Sequence, residues 1–228
     1  MEKPIIATTL SGLFIKSEPW NKAHILWYDE REKEMKEKKA DISAIIEWRK
    51  LLQENPDEEK KGYFKFVDRV MKELYPYLSE EERTKKARES FFDATLKYIQ
   101  QNPKVINKDV VRYFKSIKNK YTLALITTNI KPSLERILKI GGLENLFEII
   151  ETSNPEEKDA KEAVFDRFIK KYDKPLIYIG SDKKDSFVYC NKNNIPCIFA
   201  NFENKEEIIG VESAHNLKEL KEKLSKLI

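Results

Sequence analysis

The 228-residue chain has two cysteines, two histidines and six glycines. It has no apolar run approaching the roughly 20 residues a membrane-spanning helix needs. Each scarcity removes a class of function. Cys190 and Cys197 are too few for a disulfide framework or a zinc set and read as core thiols. The only histidines, His24 and His215, belong to no strand end, so a hydroxyl there is not expected to find a histidine base. Charge of one sign is also missing: Lys and Arg number 43 against 39 Asp and Glu, and the net +4 is spread over mixed runs such as residues 29–39. A nucleic-acid stripe needs clustered cations, so neither nucleic acid nor membrane is an expected partner. MEKPIIATTLSGLF lacks a long apolar core and a small-residue cleavage site; it reads as a first strand rather than a signal peptide, and the expected location is cytoplasmic.

What is present is enough length to bury a substantial core, under a surface rich in balanced charge. Five short apolar runs read as buried parallel strands: Ile5–Leu10, Thr122–Thr127, Phe147–Ile150, Leu176–Ile179 and Cys197–Ala200. Helical patterns separate them. Val110, Val111, Phe114 and Ile117 share a helix face behind an expected Asn107 cap, and a helix over 132–139 opens near Pro132 and stops at Gly141 and Gly142. Leu217, Leu220, Leu224 and Leu227 mark a last amphipathic helix. The alternation predicts an α/β fold, a doubly wound parallel sheet.

The connection between the first two strands is far too long for an ordinary crossover and carries no strand signal. Phe64, Val67, Met71 and Leu74 keep helical spacing there; Ser79 and Glu82 form a capping box, and Ala87, Phe91 and Tyr98 continue the pattern. The predicted organisation is an α/β core over 1–18 and 103–228, with an all-helical insertion over 19–102. Trp20, Trp27 and Trp48 belong to the insertion, as core or seam residues or as the wall of a pocket.

In such a sheet, ligands bind beyond the carboxyl ends of the strands. Those ends carry Thr9, Ser11 and Gly12, then Thr128 and Asn129, then Ser181, Asp182 and Asp185. A helical lid inserted after the first strand would close over the same place. The pattern resembles the haloacid dehalogenase (HAD) superfamily of phosphatases and related hydrolases, of the kind with a helical cap between the first and second motifs. IIATTLSGLF followed by KSEPW is similar to the first motif and its turn, LALITTN to the second, and LIYIGSDKKDSF to the fourth. PSLERILKIGGLENLFEIIETS is similar to the helix and third strand between them. A lysine normally follows as the third motif, with Lys158 the better placed and Lys161 next.

The resemblance implies an Asp nucleophile at position 9, an Asp acid–base at position 11 and Mg²⁺-holding carboxylates at positions 181 and 185. The chain has Thr9, Ser11 and Ser181 instead, and keeps only Asp185. A carboxylate is ionised at neutral pH and can attack phosphorus directly, whereas a hydroxyl needs a base beside it. Mg²⁺ prefers octahedral oxygen coordination with one or two carboxylates, and Asp185 with Asp182 as a helper is a weak set. Carboxylates around an abandoned metal site would repel one another, so small hydroxyls are the sensible replacement. The expectation is therefore a protein that has lost phosphatase activity and uses Thr9, Ser11, Gly12, Thr128, Asn129, Lys158 and Ser181 to hold a small phosphorylated or other anionic ligand, or a protein partner of unknown kind, without a cofactor. Lys183 and Lys184 read as solvated loop lysines. The alternative is a hydrolase with Thr8, Thr9 or Ser11 as nucleophile and Asp182 or Asp185 as metal ligand or base; only that reading requires Mg²⁺.

Overall fold

The computed structural model describes residues 3–54, 59–157, 160–181 and 184–227, without the side chains of 59–65 and 227. The chain divides into two compact units.

The first unit comprises Met1–Ser17, Asn102–Ser153 and Asp159–Ile228. Its six strands are β1 (Ile5–Thr8), β2 (Thr122–Ile130), β3 (Ile149–Ser153), β4 (Ile177–Gly180), β5 (Cys197–Ala200) and β6 (Glu212–Ala214). They form one parallel sheet in the order β3-β2-β1-β4-β5-β6. β1 is nearly all apolar because both sheet faces are covered. Ala7, Ala124, Ile126 and Tyr178 pack with Val164, Phe165, Phe168 and Phe187 on one side. The alternate residues Ile6, Leu123, Leu125 and Ile179 are fully buried as well.

The third strand lies two to three residues later than the apolar run predicts, at Ile149–Ser153, because Glu151 is accommodated inside it. Buried Glu151 is paired with Arg167 at 3.2 Å and Lys171 at 2.8 Å, so a carboxylate can occupy a strand without orphaning its charge. β6 was not foreseen: Glu-Ser-Ala is three residues long and carries no apolar run.

Helix α5 (Lys108–Ile117) has the predicted buried face of Val110, Val111 and Phe114. Its expected cap is corrected. Asn107 holds the N-cap position, but its Nδ2 donates to the Leu13 carbonyl at 2.7 Å and makes no bond to the helix. Helix α6 (Lys131–Gly141) carries Pro in its first turn and stops at Gly142, whose φ of 65° is the left-handed cap a glycine permits. The remaining α-helices of this unit are α7 (Lys161–Tyr172), α8 (Lys184–Lys192) and α9 (Leu217–Leu227), and a short 3-10 helix spans Pro103–Val105.

The second unit comprises Glu18–Gln101 and Asn154–Lys158. Its helices are α1 (Glu18–Glu37), α2 (Ser43–Glu54), α3 (Glu59–Leu74) and α4 (Glu80–Gln101). Trp27, Tyr28 and Trp48 are fully buried at its centre, with Tyr28 and Trp48 stacked at 3.8 Å and the Trp27 indole donating to Ser90 Oγ at 2.8 Å. The capping box is reciprocal: Glu82 N donates to Ser79 Oγ at 3.2 Å, and Ser79 N to Glu82 Oε2 at 2.8 Å. The apolar face of α3 is made by Phe66, Val70, Met71 and Leu74; Val67 is only half-buried, and the Phe64 side chain lies outside the described residues. Among the described residues no helix is long and apolar enough to cross a membrane.

Candidate functional site

β2, β1, β4 and β5 are neighbours, so their carboxyl ends fall side by side in the first unit. Thr9 extends the ladder one residue past β1, its amide donating to the Ile179 carbonyl at 3.0 Å. The chain then turns sharply. Phe14 N and Ile15 N both return to the Leu10 carbonyl, at 3.1 and 3.3 Å, and Gly12 N donates to Ile15 O at 2.6 Å.

Gly12 is required on two counts. Its φ is 75°, and a Cβ there would lie 2.5 Å from Ser181 Oγ and 2.9 Å from Ser181 Cβ. That close approach brings the end of β4 against the β1 loop. The Ser181 hydroxyl donates a short hydrogen bond directly to the Ser11 carbonyl. Ser181 and Thr9 are buried and Ser11 half-buried, and among the described residues the Thr9 hydroxyl makes no hydrogen bond.

On the other side, β2 continues past its apolar run through a register irregularity between Thr127 and Ile130. Asn129 is buried and donates from Nδ2 to Thr127 Oγ1 at 2.6 Å; Thr128, between them, is half-buried. Thr128 lies three residues beyond Leu125, the register partner of Thr8, at the same end of the sheet as the Thr9–Gly12 turn.

Of the two candidate lysines, Lys158 lies outside the described residues, as do Asp182 and Lys183. Lys161 is buried in the first turn of α7, its ammonium donating to the Ile126 carbonyl at 2.6 Å and lying 6.0 Å from the Tyr178 ring centroid. Lys184 and Asp185 are exposed at the start of α8. His24 is buried in the helical unit against Phe91, and His215 is exposed, with Nε2 3.4 Å from Glu207. Among the described residues no three His, Cys, Asp or Glu side chains are gathered as a metal would require.

A cluster the sequence reading missed completes the site. Lys205, in the loop after β5, donates to three acceptors: Glu203 Oε2, Ser17 Oγ and the Ser181 carbonyl, each at 2.9 Å. Glu203 in turn accepts from the Ser17 amide at 2.8 Å and the Ser17 hydroxyl at 2.5 Å. Burial works to raise the Glu203 pKa, but the two Ser17 donors and Lys205 outweigh it and hold the carboxyl below its usual range. Buried Asn201 shapes this loop, accepting from Lys205 N at 2.6 Å and donating to Lys205 O at 2.8 Å. The rule that strand ends carry ligands applies to β5 as well as β4, and would have pointed to residues 201–205.

The arrangement is a turn whose polar groups are bonded to one another: the Ser11 carbonyl to a hydroxyl, the Ser181 carbonyl to an ammonium, and that ammonium to a carboxylate. A family model for haloacid dehalogenase-like hydrolases matches residues 35–200. The chain belongs to that family. The match begins past the Thr9–Gly12 turn and ends before Glu203 and Lys205. No curated protein sequence matches the chain. Among solved structures, the chain is similar to YfnB from Bacillus subtilis, a candidate HAD-hydrolase solved bound to magnesium, with 12% identity, a TM-score of 0.58, and coverage of 99% of this chain and 100% of that one. It is similar to a predicted phosphatase from Clostridium acetobutylicum at 16% identity and TM-score 0.58, with the same coverage. It also resembles a β-phosphoglucomutase from Clostridium difficile at 16% identity and TM-score 0.54, covering 99% and 98%. At these identities the likeness is one of fold, and the α/β HAD-like architecture is the family's.

Proposed function

We propose that this HAD-family chain has given up metal-dependent phosphoryl hydrolysis and acts as a binding module for a small phosphorylated or otherwise anionic ligand. One observation carries the reading: the Ser181 hydroxyl bonds directly to the Ser11 carbonyl, closing with a neutral contact the space between the first and fourth motifs. A metal held there would need that carbonyl and a charged oxygen at position 181 to face it together. Instead the carbonyl is already satisfied, and position 181 supplies a donor. Among the described residues the hydroxyl of Thr9, the aligned nucleophile position, has no hydrogen-bonded base to activate it. Unaided phosphoester hydrolysis is so slow that an enzyme must lower the barrier by on the order of 20 kcal/mol. Neutral hydroxyls at positions 9, 11 and 181, the last already bonded to backbone, carry little of that load.

Family membership favours a second reading, a hydrolase with an altered nucleophile and Mg²⁺ held through Asp185 and Asp182. One assay separates the two. Purified protein incubated with generic phosphate monoesters and Mg²⁺ is expected to release phosphate no faster than the buffer control. Metal-dependent turnover that follows the pure protein and disappears in Ser11→Ala would establish the hydrolase.

A further inference from the structure

The first unit holds a second concavity, built from other residues than the strand-end turn, with a volume of about 490 Å³. That is the size range of small-molecule sites, roughly 300–1,000 Å³. Its apolar wall is Ile106, Val110, Phe202 and Leu217, all but Val110 partly open to solvent. Three lysines, Lys16, Lys104 and Lys108, line the same cavity. Each is exposed, and among the described residues none of their ammonium groups has a hydrogen bond or ion pair. Among the described residues one carboxylate lines it, Asp109, which lies 2.7 Å from Arg112.

Other exposed lysines do sit beside carboxylates, as Lys36 with Glu32 at 2.5 Å and Lys38 with Glu34 at 2.8 Å. Here three cations and a single carboxylate, itself beside Arg112, line an apolar surface among the described residues. The cavity's shape is also fixed by backbone: Lys16 N donates to Val105 O at 2.9 Å and Asn107 N to Phe14 O at 2.8 Å, tying the segment before the helical unit to the one after it.

We infer that this cavity binds an organic anion of small-molecule size, with a flat aromatic body against Phe202 and Leu217 and a phosphate or sulfonate head among Lys16, Lys104 and Lys108. The apolar wall supplies affinity in proportion to the area it covers, and the lysines supply attraction that salt weakens. The inference is independent of the strand-end reading, since the two sites share no lining residue.

The test uses the full chain and anilinonaphthalene sulfonate, a probe of this chemistry, followed by its fluorescence. The parent should bind one equivalent saturably. Lys16→Gln/Lys104→Gln/Lys108→Gln, changes at exposed positions, should weaken binding about tenfold or more, as loss of three charges implies. Leu217→Ser should weaken it through the apolar wall. Phenyl phosphate should displace the probe at concentrations where inorganic phosphate does not. Lys115→Gln, at an exposed position outside the cavity, should leave affinity unchanged, which separates this site from general surface charge. Parent and triple-lysine variant binding equally would overturn the inference, as would salt-insensitive binding or equal displacement by phenyl phosphate and inorganic phosphate.

Discussion

The contact between Gly12 and Ser181 is the tightest at the site, and its energetics are set by single atoms. Ser181→Ala removes the donor to a Ser11 carbonyl that has little else to bond, an expected cost of about 1–2 kcal/mol. Gly12→Ala forces a left-handed φ on a residue with a Cβ and drives that Cβ to 2.5 Å from Ser181 Oγ, with an expected cost of at least about 1–3 kcal/mol. The two changes should not add. Removing Ser181 Oγ relieves the closest clash, so the double variant should unfold at higher urea than the sum of the single losses implies. Strict additivity would mean that the two residues do not touch in solution. The positions of Thr9, Ser11, Gly12 and Ser181 were legible from sequence because each follows a short buried strand. The direct hydroxyl-to-carbonyl bond was not, since it depends on the approach of two loops 170 residues apart. Lys161 shows the same limit: its spacing from the third strand admits either lysine, and only packing places its ammonium on the Ile126 carbonyl.

Strand ends position the site, and the loops that follow them hold it closed. The β5 loop is fastened to the β1 loop through Glu203, Ser17 and Lys205. Glu203 titrates below its ordinary value of 4.5, so it binds a proton less readily folded than unfolded. The stabilisation it contributes is therefore complete above the unfolded value and is lost as pH falls through the lowered folded one. Glu203→Gln should be less stable than the parent at neutral pH, and the gap should narrow as the solution is acidified, as thermal melts across that range would read. A gap that widens on acidification would reverse the assigned direction. Most elements were legible: β1, β4 and β5 are apolar runs in a sheet covered on both faces, and Ser79 and Glu82 announced α4 by their spacing. β6 escaped because a three-residue edge strand needs only one neighbour and no apolar run. Part of β3 was misplaced because Glu151 reads as a strand breaker until Arg167 and Lys171 are brought beside it.

At the scale of the molecule, the chain keeps the family's fold while its first motif and the first position of the fourth carry hydroxyls. The fold needs the buried strands and the tight turn at Gly12, and neither depends on carboxylates. Chemistry needs the carboxylates, so the two can separate in evolution without unfolding the protein. On the reading proposed above, the described residues at the strand ends form an internally bonded site that holds no divalent ion. Thr9→Asp/Ser11→Asp/Ser181→Asp sharpens it, because a carboxylate at position 181 cannot donate to the Ser11 carbonyl and sets oxygen against oxygen. That variant should melt below the parent without metal and be raised by Mg²⁺, by as much as about 2.7 kcal/mol at a hundredfold excess over Kd. The most direct measurement is the melting temperature of the unaltered chain and of this triple variant, each with and without saturating Mg²⁺. Mg²⁺ should leave the parent unmoved and raise the variant; equal stabilisation of both would show that Asp182 and Asp185 already make a competent metal site.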